Sequence, residues 1–103
     1  MEKDVLPIGT IVYVKEGLKK VMIIGRCLTK EKDNVQYYFD YTACLYPEGL
    51  TGEEVLFINK EDISNIVFKG YEDDDNAELV KRILTWQENG NVKKGSFEIF
   101  NEG

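Results

Sequence analysis

Two periodicities divide the chain. From Thr10 to Gly70, apolar residues come in short runs with a period near two, bounded by Gly, Pro, Asn and Asp clusters, which is the signature of β-strands and turns. From Asn76 to Glu88, Leu79, Ile83 and Trp86 recur at helical spacing, widened by Val80 and Leu84, and predict one amphipathic helix. Thr10–Lys15 (TIVYVK) is β-branched and aromatic, as strands favour. Glu16–Lys19 is a turn in which Gly17 can supply positive φ. Strand two, Lys20–Thr29, carries Val21, Ile23 and Cys27 on one face and Met22, Ile24 and Leu28 on the other. Gly25 interrupts it, which predicts a bulge or a sharp bend. After the polar turn Lys30–Asn34, strand three runs over Val35–Tyr46 and is rich in aromatic residues.

Pro47–Glu54 reads as a loop, Val55–Asn59 as strand four, Lys60–Ser64 as a helical turn capped by Asn59, and Asn65–Gly70 as strand five. Because strands two and three are apolar on both faces, a single open sheet with one wet face does not account for them. The predicted fold is α+β and mainly β: a small, SH3-like, partly closed antiparallel barrel of about five strands with a C-terminal helix. One domain spans residues 1–103, with the barrel core at 6–71 and the helix at 74–88, capped by Asp74 or Asp75 and stopped by Asn89-Gly90. Residues 91–103, where Phe97, Ile99 and Phe100 are set among polar residues, form a sixth strand or a tail.

At 103 residues the chain can bury a core without metal or disulfide support. Its 19 acidic against 13 basic residues give a net charge of −6, which opposes nucleic-acid phosphates. The sequence holds no histidine, so Ser–His and Cys–His catalysis and imidazole-based metal sites are excluded. Cys27 and Cys44 are too far apart for a CxxC site and read as reduced, buried small hydrophobes. No signal peptide and no membrane span is legible, and a cytoplasmic location follows as the expectation. Neither Walker-type nor dinucleotide-binding glycine spacing occurs.

The acidic run Glu72–Asn76 fails as a calcium loop, since counting from Asp73 puts Glu78 at the sixth position and Leu84 at the twelfth. It reads as a solvated helix N-terminus. Asp40, Glu48, Glu61 and Asp62 could supply a carboxylate pair, but nothing in their spacing marks one. The reading is a non-catalytic protein with no cofactor and no metal. Lys15, Lys19, Lys20 and Arg26 form a local basic cluster. Tyr13, Tyr37, Tyr38, Tyr41, Tyr46 and Tyr71 are the best sign of a contact surface, since tyrosine joins a large apolar body to a polar tip.

Three segments carry a resemblance: Leu6–Val12 (LPIGTIV) followed by Lys19–Arg26 (KKVMIIGR), Tyr41–Gly49 (YTACLYPEG) after Asp40, and Phe57–Tyr71 (FINKEDISNIVFKGY). In order and spacing they resemble the domain-of-unknown-function family 4176, over about residues 6–75. The resemblance implies a cytoplasmic adaptor or targeting chaperone for an LXG-type toxin exported by type VII secretion. An immunity protein binding the toxic domain is the alternative, and an enzyme acting on a small molecule ranks below both. Of the positions the pattern covers, Arg26, Tyr41, Tyr46 and Glu48 are the candidate partner contacts, Arg and Tyr being common interface anchors. A homodimer is compatible with any of these readings.

Overall fold

The computed structural model describes residues 5–52 and 55–96. Phe97, Ile99 and Phe100 lie outside the described residues. In chain order the elements are β1 (Ile11–Val14), β2 (Lys20–Lys32), β3 (Val35–Leu45), β4 (Leu56–Ile58), a 3-10 turn (Lys60–Asp62), β5 (Ile63–Phe68), α1 (Asp74–Glu88) and β6 (Lys93–Lys94).

The β2–β3 hairpin is the backbone of the fold. It is longer than its apolar pattern predicts, because Lys30–Lys32 continue the ladder as an exposed extension beyond the core. Asp33 and Asn34 close it with φ of 54° and 66°, the two positive values a tight primed turn requires. The bulge expected at Gly25 is present: the register shifts between Ile23 and Gly25. In the preceding turn it is Lys15, at φ 52°, that adopts the left-handed conformation predicted for Gly17. The Lys15 N–H donates to the Asp62 carbonyl at 2.7 Å and holds that geometry.

The strand order is β4-β3-β2-β1-β5, all antiparallel, and β6 adds a short parallel pairing to β3 at Tyr37 and Tyr38. The mainly-β architecture with one helix stands as read from the sequence. The sheet is not closed: β4 and β5 occupy its two ends and do not pair. At three residues, β4 offers a ladder only to Tyr41–Ala43, too little to carry the curl round to β5.

The core gathers Val12, Val14, Val21, Ile23, Tyr41, Ala43 and Ile58 from the strands, Val5 from the lead-in and Ile83 from α1, with Val80 and Leu84 packed alongside. Helix α1 covers Asp74–Glu88, and its cap falls just before the two residues expected for it, Asp74 and Asp75. Its cap is Asp73, whose carboxylate accepts the Asn76 N–H at 3.0 Å, and Gly90 at φ 70° ends it. The expected one-turn helix is a 3-10 turn with Asn59 as its cap.

The end of β5 is clamped to the lead-in. The buried Thr10 hydroxyl donates to the Pro7 carbonyl at 2.7 Å and accepts the Gly70 N–H at 3.0 Å. Gly70 sits so close to Ile8 that any Cβ there would overlap the Ile8 carbonyl oxygen, which is backbone and cannot rotate away. Gly70→Ala should therefore lower unfolding free energy by about 1–3 kcal/mol, the range for overpacking, as measured by urea denaturation. Gly90→Ala, where a Cβ meets no atom but φ is positive, should cost about 1–2 kcal/mol from backbone strain alone.

Candidate functional site

A buried carboxylate fixes how the helix meets the sheet. Asp40, on β3, is buried, so its charge must be matched by donors. Its Oδ2 accepts the Lys60 N–H at 2.9 Å and faces Lys94 Nζ at 3.1 Å, while its Oδ1 accepts from Gln87 Nε2 at 3.2 Å. Asn59 completes the hub: its Oδ1 accepts the Asp40 N–H at 3.0 Å and its Nδ2 donates to the Gly95 carbonyl at 2.8 Å. Burial would lower the Lys94 pKa, but hydrogen bonds to Glu61 and Asp40 and their negative charges hold it above its ordinary value.

The other carboxylates weighed for acid–base work are also engaged. Glu61 accepts from Lys94, Asp62 accepts the Asn59 N–H and faces Lys15 at 3.1 Å, and Glu48 accepts from Lys19 at 2.8 Å. Among the described residues no group of three or more Cys, Asp or Glu is placed to hold a metal ion. Burial pushes the Cys27 thiol up, away from thiolate, against the pull of a Gln87 contact, and both cysteines are free.

Beside this hub, α1 and the middle of β2 leave a groove of about 370 Å³ lined by Arg26, Cys27, Leu79, Arg82, Ile83 and Trp86. A second of about 370 Å³ adjoins it and is lined by Lys81, Arg82, Thr85, Trp86 and Asn89. Arg82 and Trp86 stand between the two. Arg26 is half-buried and fixed, its Nη1 donating to Asn76 Oδ1 at 2.6 Å and to the Leu6 carbonyl at 3.4 Å; burial is the first cause acting on its pKa, which it lowers. Trp86 packs edge-on against Tyr38, ring centroids 5.6 Å apart, and remains 37 % exposed. The result is a shallow amphipathic surface with an anchored arginine, a second arginine and an indole.

The four predicted contact residues do not form one site. Arg26 belongs to the groove. Tyr46 and Glu48 lie together at the opposite end of the hairpin, where Lys20 Nζ sits 5.9 Å from the Tyr46 ring and Glu48 pairs with Lys19. Five residues of β2 lie between Lys20 and Arg26, roughly 20 Å of strand. Tyr41 is a core residue with no exposed surface, and its hydroxyl accepts the Leu6 N–H at 2.9 Å. It cannot touch a partner directly. Its ring is wanted inside because the curled strand aims it there. Of the six tyrosines, Tyr46 and Tyr71 are the exposed ones. Sequence reasoning missed Arg82; its spacing of three from Leu79 and four from Trp86 on one helix is the signal that could have found it.

These features define a small open-sheet α+β module in which Asp40, Glu48, Glu61 and Asp62 are each paired, and whose helix edge presents an arginine- and tryptophan-bearing groove. Residues 5–79 match the family described as domain of unknown function DUF4176, and the chain belongs to that family. No curated protein and no solved structure matches it. The matched span ends at Leu79, so Arg82 and Trp86 lie beyond it. No helix among the described residues is long and apolar enough to cross a membrane.

Burial is the main reason the Tyr41 phenol is pushed up to about 12. In the unfolded chain the phenol ionises near 10, so the stability it contributes is intact below that pH and is lost as pH rises toward 12. Tyr41→Phe should flatten the decline in melting temperature over that alkaline window. At pH 7 it should cost about 1 kcal/mol, because the Leu6 N–H loses its acceptor.

Proposed function

We propose that this chain is a non-catalytic protein-binding module, a cytoplasmic adaptor or targeting chaperone for an LXG-type toxin substrate of type VII secretion. The class of partner comes from the resemblance carried by the KKVMIIGR, YTACLYPEG and FINKEDISNIVFKGY segments. The observation that supports binding is the groove at Arg26, Arg82 and Trp86. Tryptophan and arginine are the residues most often found to dominate binding energy, and here Arg26 is already immobilised by Asn76, so less ordering is needed on association. In a protein of net charge −6, two arginines beside an apolar stripe suit an amphipathic segment bearing carboxylates. Tyr46 and Glu48 form a separate, smaller contact region at the far end of the hairpin.

Co-expression with an LXG-type toxin should yield a complex that survives affinity purification. Trp86→Ala and Arg82→Glu should each weaken it by about 30-fold or more, the effect of losing a hot-spot residue, in calorimetric titration. Absence of a complex at micromolar concentrations would overturn the proposal, and binding to the isolated toxic domain alone would assign the immunity role instead.

A further inference from the structure

Several cations of this protein are matched by carboxylates: Lys15 by Asp62, Lys19 by Glu48, Lys69 by Glu72, and Lys94 by Asp40 and Glu61. Arg26 is not. Half-buried on β2, it donates through Nη1 alone to two neutral acceptors, Asn76 Oδ1 and the Leu6 carbonyl. Among the described residues it forms no ion pair, and its Nε and Nη2 protons meet no acceptor. Those two groups lie side by side on the planar guanidinium and form the edge that grips a carboxylate with two parallel bonds. Arg82 lines the same groove, and its exposed guanidinium makes neither hydrogen bond nor ion pair among the described residues. The nearby acidic residues do not supply the missing countercharge. Glu72 acts on Arg26 through space and pairs with Lys69 at 3.5 Å, Asp73 caps the helix, and Glu78, one turn before Arg82, forms no ion pair with it.

We infer that the groove reads a carboxylate: it takes an Asp or Glu side chain of the partner on Arg26 and Arg82, with a neighbouring apolar side chain seated on Leu79 and Trp86. The inference rests on the groove being the partner surface and adds the chemistry that the groove selects. A half-buried cation without a countercharge is held at a cost, which a bound anion removes. A carboxylate offers acceptors only, whereas the amide of Asn or Gln would turn donors toward donors. Bonds between two charged groups are also about twice as strong as those between neutral ones. With Nη1 already held by Asn76, the open edge of Arg26 is fixed before the ligand arrives, so little freedom is lost on binding. The remainder of the lining, Cys27, Leu79, Ile83 and Trp86, is apolar and favours an acidic residue flanked by apolar ones over a run of acids. A phosphate could meet the same edge. Its second charge is opposed by the net charge of −6 and by Asp73–Asp75, which lead directly into Asn76.

Trp86 is the only tryptophan of the chain, so its fluorescence reports on the groove. Titrating the full chain with the blocked tetrapeptide acetyl-Leu-Glu-Leu-Glu-amide should give a saturable change in emission, and the Leu-Gln-Leu-Gln counterpart should bind about 10-fold more weakly or worse. Arg82→Gln should weaken the glutamate peptide by about 10-fold at an unchanged melting temperature, since the Arg82 guanidinium holds no other described residue. Arg26→Lys should weaken it comparably without altering net charge, because an ammonium has no fork. Lys81→Gln, which removes the same charge from the same helix outside this groove, should leave binding unchanged. Equal affinity for the two peptides, displacement by inorganic phosphate at a lower concentration than the peptide, or no emission change up to about 10 mM peptide would each overturn the inference. Should those results appear while the toxin complex still forms, the binding function stands and the carboxylate assignment falls. Peptide discrimination without a toxin complex would uphold the carboxylate site and remove the toxin as its partner.

Discussion

Asp40 carries a charge into the interior, and the elements around it are arranged to satisfy that charge. Lys60 of the 3-10 turn, Gln87 of α1 and Lys94 of β6 all donate to or face its carboxylate, and Asn59 holds its backbone N–H. A buried carboxylate left without donors costs several kcal/mol, so the contacts from Lys60, Gln87 and Lys94 are obligatory once Asp40 is in place. They come from segments spread over the second half of the chain. One side chain therefore ties the strand ladder, the turn, the helix and the final short strand into a single arrangement.

The groove follows from that arrangement. Gln87 fixes the C-terminal half of α1 on β3, and Arg26 fixes its first turn through Asn76. Between those two anchors the helix spends Ile83 on the core and leaves Leu79, Arg82 and Trp86 at its margin. A rigid margin with a tryptophan and two arginines loses little freedom on binding. Glu48, Glu61 and Asp62 are, in contrast, each paired with a lysine.

Much of the fold was legible because local chemistry and global packing agree. The Gly25 bulge, the Asn59 cap, the helix stop at Gly90 and the presence of five successive strands all follow from residues acting over short range. The misreadings have long-range causes. Lys15 takes the left-handed turn position because Asp62, far along the chain, accepts its N–H. Lys30–Lys32 look like loop but extend the hairpin beyond the core, where polar side chains are solvated on both faces. Tyr41 and Tyr46 look alike in sequence, yet Tyr41 lies within β3 and is buried, whereas Tyr46 lies in the turn past its end and is exposed. Arg26 was recognisable as a contact candidate, but its neighbours Arg82 and Trp86 could be placed beside it only once the helix was docked. Sequence could not show that β5 ends the sheet, since edge and centre positions share the same composition.

The account comes down to whether a protein partner seats on the α1 margin. Two-dimensional NMR of the labelled chain, titrated with the segment of an LXG-type toxin that co-purifies with it, reads this residue by residue. The expected result is that the Arg82 and Trp86 side-chain signals and the backbone amides of Cys27 and Leu79 shift or broaden together, with the interior around Val12 and Ile23 undisturbed. Perturbations confined to other surfaces, with the Trp86 indole unmoved at saturation, would contradict it.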